Sequence, residues 1–416
     1  MHIILTIDFS PWSAHGGGAQ RSTHNLATAL CRRGHDVSVV YTKPPWETIA
    51  HPRHLPYDLH WATFFDVRSR RNAPLRPLNA FSVARVVESL LDRKQDTVIH
   101  SNGEEGGMIH RLRQHYRFGF IATPRHPRYP HALLNNNKLS SLDKVWLALR
   151  EGKYLMQGRA ARHADLCVPP SAFAADLVRR AFHLKPPHVR VVHNGVPEEF
   201  LSYDLDPVAM ESGPLVFFGK FHAIKGVDTL VDALGIIGAE APRTLLIGRG
   251  PEKQAIERQI QRLGLADRVE LLPWMPQDEL ARILSGARMV VLPSREENFS
   301  LAILGAMAVG VPVISTRVGG TPEIIHHNHT GILVEPDAPE ALAAAITRLL
   351  KDPEKALQLG RAGRCHVREH LTWDRAAASF EALYHQLLGL DDHRGLESDL
   401  FDIVEPAQVD ADHALV

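Results

Sequence analysis

The chain has 416 residues, 44% of them hydrophobic and 23% charged, the composition of a globular protein too long for one ordinary core, so two domains are expected. No apolar run approaches the ~20 residues that cross a bilayer, and Cys31, Cys167 and Cys365 have neither a zinc spacing nor a redox pairing, which suits buried thiols in a reducing cytoplasm. The formal charge of +0 cancels two unlike halves: residues 1–195 hold 27 Lys and Arg against 14 Asp and Glu, and the remainder holds 20 against 33, so the first half suits an anionic partner such as a phosphorylated acceptor or an acidic membrane surface.

The opening MHIILTIDF carries Asp8 and lacks a basic flank and a cleavage site, which predicts a strand from His2 to Asp8 and no signal peptide. Gly16-Gly17-Gly18 follow, then a helix from Ala19 to Arg33 with Leu26, Ala29 and Leu30 on one face, stopped by Gly34, and a second strand from Asp36 to Thr42. Glycines there let the backbone approach a ligand's phosphates, and the helix start behind them favours anions. A nicotinamide-type dinucleotide fold is disfavoured. The GxGxxG fingerprint is absent, and Tyr41-Thr42-Lys43 supplies no ribose-binding acid at the second strand's tip.

Residues 43–79, rich in Pro, Arg and aromatics, give no period and read as irregular. The alternation then resumes with helix Phe81 to Asp92, strand Thr97 to His100, helix Glu105 to Tyr116, strand Phe118 to Thr123, helix Leu142 to Arg162, strand Asp165 to Val168, helix Ser171 to Phe182 and strand Val189 to His193. This predicts a helix-covered parallel sheet over residues 1–195. Asn194-Gly195-Val196-Pro197 breaks the pattern, and residues 196–213 read as a linker.

The same alternation begins again at strand Leu215 to Gly219 and runs through helix Gly226 to Leu234, strand Thr244 to Gly248, helix Glu252 to Leu263, strand Val269 to Leu272 and helix Asp278 to Leu284. Met289 to Glu323 reads MVVLPSREENFSLAILGAMAVGVPVISTRVGGTPE. It divides into an apolar strand, an acidic loop, a helix capped by Asn298 and closed by Gly310, a second strand, and a Gly319-Gly320 loop before a further helix start at Thr321. Strand Ile332 to Val334, helix Pro339 to Leu350 and a closing helix Trp373 to Leu388 complete a second domain over residues 214–388. Residues 389–416 form an acidic tail, expected to be disordered. The predicted fold class is α/β, two doubly wound Rossmann-like domains, with ligands in the cleft where the carboxyl ends of the two sheets face each other.

Chemistry concentrates at strand ends. Lys220 and Lys225, in GKFHAIKG, are placed to neutralise charge on a departing diphosphate. Glu296 and Glu297 crowd a helix start, where they either meet a ligand or merely complement the helix dipole. Asp204-x-Asp206 has the form of a metal-binding pair but lies in the linker, so no metal is expected there.

Taken together, GGGAQR, VVHNGVPEEF, FFGKFHAIKGVDTL, IGRGPE and the 289–323 stretch resemble the retaining nucleotide-sugar glycosyltransferases of family 4, which have the GT-B fold. The resemblance spans roughly residues 2 to 388. It implies transfer of a sugar from a nucleotide-diphosphate sugar to a glycan, lipid-linked or small-molecule acceptor, with retention and without a cofactor or catalytic metal. The first domain would bind the acceptor and the second the donor. Gly17 and Gly18 match the loop beside the diphosphate, Lys225 the phosphate-binding lysine, and Lys220 stands where arginine is usual, keeping the charge without the bidentate fork. Glu297 matches the first acid of a Glu-x7-Glu motif that meets the donor sugar. Asn298, Phe299, Ser300 and Leu301 follow it, and the amides of Phe299 and Ser300 would add donors to the same ligand. His126, in Thr123-Pro124-Arg125-His126, matches the site histidine with one extra residue. Asn102 stands where histidine is frequent, and Arg125 and Arg128 could clamp an anionic acceptor.

The departure with most consequence is Gly305, where the second acid of the motif, the ribose ligand, is expected. Losing such a charged hydrogen bond costs about 1.5–3 kcal/mol. A rival reading therefore stands beside the enzyme, that of a nucleotide-sugar or glycan binding protein with impaired catalysis. The expected location is the cytoplasm, with the basic half available to the inner face of a membrane.

Overall fold

The computed structural model describes residues 1–13, 16–65, 76–93, 95–125 and 152–390. They divide into two compact units, one of Met1–His193 with the chain from Asp374, the other of Asn194–Trp373.

In the first unit, β1 (His2–Ile7), β2 (Asp36–Lys43), β3 (Asp58–Thr63), β4 (Thr97–Ser101), β5 (Gly119–Ala122) and β6 (Leu166–Cys167) form one sheet in the order β3-β2-β1-β4-β5-β6. Every pairing is parallel. Helices α1 (Gly18–Arg32), α2 (Arg76–Leu90), α3 (Gly152–His163) and α4 (Ala172–Phe182) supply the connections. β1 and β4 are buried at every residue, as central strands covered on both faces are, and residues 3–5 and 98–99 form their apolar middles. β3 escapes the sequence reading because it is an edge strand, paired only with β2 and mostly half-exposed, so Asp58–Thr63 carries no apolar run.

Two further elements depart from expectation. The segment placed as a helix from Glu105 to Tyr116 is a 3-10 helix over Glu104–Gln114. Its Gly106 and Gly107 lie so close to Ser101 and Met156 that an added Cβ would stand 2.0 Å from Ser101 Oγ and 2.9 Å from the Met156 carbonyl. The strand expected at Val189–His193 is reduced to a single bridge between Cys167 and Val189. Only residues 152–163 of the helix expected from Leu142 lie within the described residues.

The second unit repeats the plan. Its strands β7 (Leu215–Lys220), β8 (Thr244–Arg249), β9 (Val269–Leu272), β10 (Met289–Leu292), β11 (Val313–Thr316) and β12 (Ile332–Val334) run β12-β11-β10-β7-β8-β9, again all parallel. Both sheets thus have the Rossmann order, with the direction of winding reversing between β1 and β4 in one and between β7 and β10 in the other. Helices α5 (Val227–Ile237), α6 (Lys253–Arg262), α7 (Gln277–Ser285), α8 (Leu301–Val309), α9 (Pro339–Lys351) and α10 (Pro353–His370) cover the sheet.

Residues 196–213 are not a free linker. Val196, Phe200 and Met210 join the core of the second unit, Val196 N–H donates to the Leu371 carbonyl at 2.8 Å, and Leu205 N–H to that of Val309 at 2.9 Å. Asp204 pairs with Arg364 and Arg368, and Asp206 caps the turn at Val208, so Asp204-x-Asp206 is a structural device. The last helix, α11 (Trp373–Leu388), closes the first unit and not the second. Glu381 takes Arg33 Nε and His35 Nε2, both at 2.8 Å, while Phe380 and Tyr384 pack on His100. Of the tail expected over 389–416, only Gly389 and Leu390 are described.

Candidate functional site

In open α/β sheets the ligand crevice opens where the strand order reverses, at the strands' carboxyl ends. Each unit has a carboxylate at that point. In the second unit it is Glu297, on the loop after β10, facing the loop after β7. Lys225 Nζ lies 2.5 Å from Glu297 Oε1, and Ser294 Oγ donates to the same oxygen at 3.0 Å. The Lys225 side chain is 26% exposed and that of Glu297 13%, so the pair is sheltered yet reachable. The Gly319-Gly320 loop joins it, Gly320 N–H donating to the Glu297 carbonyl at 3.2 Å.

Local geometry fixes these loops. Gly226 ends the Lys225 turn in the left-handed region at φ +62°, and a Cβ there would stand 2.0 Å from the Pro293 carbonyl oxygen. Only glycine meets both demands. Arg295, which the sequence reading passed over, clamps the same two loops. It grips Asp228 bidentately at 2.9 and 2.8 Å, Asp337 at 2.6 Å, and the carbonyl of Ala223. Its hydrogen bonds to Asp228 raise the Arg295 guanidinium above its already high range, whereas Asp228, which burial alone would push up, is brought down by Arg295.

α8 begins at Leu301, with Ser300 as its cap residue and no side-chain cap bond. Asn298, expected as the cap, stands two residues earlier on the loop. Phe299 and Ser300 are buried at the helix start, Glu296 and Lys220 are exposed, and among the described residues Lys220 forms no ion pair. Gly310 does close the helix, at φ +93°. Gly305 is buried within α8, and its ideal Cβ lies 3.1 Å from three ring carbons of Phe200. The place where a second acid is expected is therefore filled by an aromatic ring from the turn Glu198–Phe200, 105 residues earlier in the chain.

In the first unit the acid at the switch point is Glu105, fully buried between the ends of β1 and β4. Its Oε1 accepts from Thr6 Oγ1, Ser101 Oγ and Asn102 N–H, each at 3.0 Å. Burial pushes its carboxyl up to about 7, further raised by the neighbouring Glu104 and opposed by its own hydrogen bonds. Asn102 Oδ1 in turn accepts from Arg125 Nη2 at 2.6 Å, so this arginine is not the open surface clamp expected of it but a buried group, its guanidinium brought down to about 10 by desolvation. His100 lies alongside. Thr123 Oγ1 donates to the Val168 carbonyl and must accept from His100 Nε2–H, leaving Nδ1 to accept from the Tyr384 hydroxyl, both at 2.8 Å. Burial, with Arg125 next, drives His100 down to about 3, so it is neutral.

Gly17 caps α1 and Gly18 opens it; the Gly17 amide is taken by Gln20 Oε1 at 3.0 Å, and Gln20 Nε2 reaches the Asp8 carbonyl at 2.8 Å. His126 and Arg128 lie outside the described residues. Among the described residues no group of three His, Cys, Asp or Glu could hold a metal ion, and no helix is long and apolar enough to cross a membrane.

Two family models match: Glycosyltransferase Family 4 over residues 16–200 and Glycosyl transferases group 1 over residues 213–352. A D-inositol 3-phosphate glycosyltransferase of Segniliparus rotundus is 27% identical over 411 residues, which cover 92% of this chain and 89% of that protein. Among solved structures, a sucrose-phosphate synthase from Thermosynechococcus elongatus superposes with a TM-score of 0.76 at 24% identity, over 94% of this chain and 100% of that one. Anabaena HepE in complex with UDP-glucose gives 0.69 at 18% identity, over 92% and 100%. Two successive matches in family order, each on one Rossmann-like unit, show that this chain belongs to the family 4 glycosyltransferases and has the GT-B fold.

Proposed function

We propose that this glycosyltransferase moves a sugar from a nucleotide-diphosphate donor to a hydroxyl of an anionic acceptor, with retention of anomeric configuration and without a catalytic metal. The observation that carries the reading is the Lys225–Glu297 pair at the β7/β10 switch point, a cation for the diphosphate beside an acid for the sugar hydroxyls. The bond from the anomeric carbon to the diphosphate oxygen breaks. A new bond forms on the same face to the acceptor oxygen, and the acceptor's proton passes to the leaving diphosphate. Lys225 and Lys220 neutralise the charge that builds there, the role a metal has in other phosphate chemistry. His126 would hydrogen-bond the donor sugar, the role its match to the site histidine implies. The first unit would receive the acceptor near Asn102 and Arg125. An anionic acceptor is supported by that buried cation and by the name of the Segniliparus relative, and a nucleotide donor by the UDP-glucose complex of the Anabaena neighbour.

The test is nucleotide release from a panel of UDP-, GDP- and ADP-sugars, with and without inositol phosphates, in EDTA, followed by NMR of the product's anomeric configuration. Release that survives EDTA with a retained anomer is expected. If no donor is turned over while one still raises the melting temperature, the chain is a binding protein and the impaired reading stands. A membrane acceptor is tested by sedimentation with vesicles containing anionic lipid. Retention at low salt is expected from the basic first half, and indifference to lipid charge removes that partner.

A further inference from the structure

We propose that the first unit carries an anion site apart from its ligand crevice: a phosphate group, of a soluble ligand or of a lipid headgroup, binds over the stacked rings of His110 and His163 between Arg113, Arg159 and Arg162. Sequence spacing builds this place. The 3-10 helix Glu104–Gln114 repeats every three residues, so Gly107, His110 and Arg113 follow one another along one edge of it. On α3, Met156, Arg159 and His163 share a face at helical spacing. Gly107 approaches α3 so closely that an added Cβ would stand 2.9 Å from the Met156 carbonyl. Further along the same two stripes, the imidazoles of His110 and His163 stack with centroids 4.1 Å apart and planes 10° from parallel. Arg113 lies over Phe118, just before β5, and pairs with Asp165, just before β6. The cluster therefore stands at the amino ends of these strands, opposite the carboxyl edge where the crevice opens.

Acid does not answer the positive charge gathered here. Asp165 is already taken by Arg113 and, at 2.8 Å, by the Phe120 N–H. Among the described residues Arg159 and Arg162 form no ion pair. Arg159 Nη2 donates to His110 Nε2 at 3.3 Å, which places the His110 proton on Nδ1. Arg159 Nε and His110 Nδ1 are both buried without a hydrogen-bond partner. Arg162 and His163 are exposed, and Arg159 is half-buried, so the cluster is open to solvent on its α3 side. Burial, followed by His163 and the arginines, brings His110 down to about 4, and burial, followed by Arg159, Arg162 and Arg113, lowers His163 as well. The two rings are uncharged at neutral pH and can stack, and the charge around them is that of the arginines. Complementing the helix dipole would account for a cation in the last turn of α3. It does not account for guanidinium groups from two elements converging on one pair of neutral rings. Like charges held this close repel. A phosphate relieves the repulsion, accepting charged hydrogen bonds from the arginine forks and a neutral one from the His163 ring.

Inorganic phosphate is the probe. It is titrated calorimetrically into the full chain carrying Lys225→Ala, a background that weakens the competing phosphate site proposed in the second unit. Saturable binding is expected there. Adding Arg159→Gln, which keeps a hydrogen-bond donor for His110 and removes the charge, should weaken it about tenfold or more, the size of one charged hydrogen bond. If Arg159→Gln does not fold, His163→Ala, at an exposed position, serves instead, with an expected loss of about threefold for a neutral hydrogen bond. Phosphate affinity unchanged in the variant that folds overturns the proposal, as does an absence of binding in the Lys225→Ala chain. The source of the phosphate is read from sedimentation with phosphatidylcholine vesicles that contain or lack phosphatidic acid. Retention by the acidic vesicles that the same variant abolishes assigns the site to a lipid headgroup. Calorimetric binding with retention absent, or unaltered by the variant, assigns it to a soluble phosphorylated ligand.

Discussion

The two Rossmann-like units place a glutamate at the same topological point and treat it in opposite ways. Glu297 has a lysine ammonium at 2.5 Å and remains partly reachable by solvent. Glu105 is sealed off, satisfied on one oxygen only, and by neutral donors only. The difference follows from what surrounds each strand end. After β7 the chain turns at Gly226 and brings Lys225 back over the β10 loop, while after β4 the glycines at 106 and 107 let the turn close onto Ser101 and Met156. A sheet topology thus fixes where an acid stands without fixing its charge. The charge is decided by which side chain the neighbouring loop can deliver.

Three experiments break or sharpen that contrast. The largest effect is expected from Lys225→Ala, which removes the cation of the second unit and leaves Glu297 with Ser294 alone. Nucleotide release should fall about 10²–10³-fold in kcat, the range seen when one preorganised charge-stabilising donor is lost. A change of less than threefold would mean that the pair is structural.

Next in size is acid. A histidine whose folded pKa is depressed is neutral in both states above about 6.5. As pH falls from there, the unfolded chain takes up protons that the folded one refuses, and stability is lost until the folded group titrates as well. His100, brought to about 3, and His110, brought to about 4, both belong to the first unit, as do His2, His35 and His163, which are lowered too. In the second unit His327 is lowered as well, chiefly by burial. For the fully buried His100 alone the loss is about 1.4 kcal/mol for each pH unit below 6.5. Hydrogen exchange at pH 4.5 should therefore show α1 and β4 opening before β7 and β10. Glu105 works in the other direction, since an acid with a raised pKa costs stability as pH rises from about 4.5 towards 7. Simultaneous opening of the two units in acid would show that the contrast has no bearing on stability.

The smallest effect concerns Gly305. Placing a side chain there forces it into the ring of Phe200, so Gly305→Glu should destabilise the second unit by about 1–3 kcal/mol, the usual cost of overpacking, and should not tighten donor binding. Phe200→Ala combined with Gly305→Glu opens the space. Recovery of melting temperature in the double variant, with a lower Kd for a nucleoside diphosphate, would show that the ring stands where the missing acid belongs. Donor affinity improved by Gly305→Glu alone would refute the packing account.

The loop that carries Glu297 was legible in the sequence because its parts are local. A doubly buried parallel strand reads as an apolar run, Gly310 closes α8 in the left-handed region, and the lysines follow their strand by a few residues. The first-unit acid was not. Glu104 and Glu105 at the start of a periodic segment read as ordinary charges near a helix terminus, and no local pattern separates an exposed acid there from one buried against Thr6, 99 residues away. Arg125 was picked out for its charge and its strand end, but its burial under Asn102 is a tertiary fact. The edge strand β3, the segment 196–213 and the allegiance of α11 escaped for the same reason, since each depends on which distant surface a weak or amphipathic pattern meets.

By itself the sequence determined the two repeats of strand and helix and the family, and it picked out Lys225 and Glu297, because these depend on residue type and short spacing. The tertiary structure alone decided that Gly305 lies under Phe200, that α11 closes the first unit, and that Glu105 stands dry beside Arg125. Burial and charge at those positions come from contacts between residues far apart in the chain, and such contacts have no period to read.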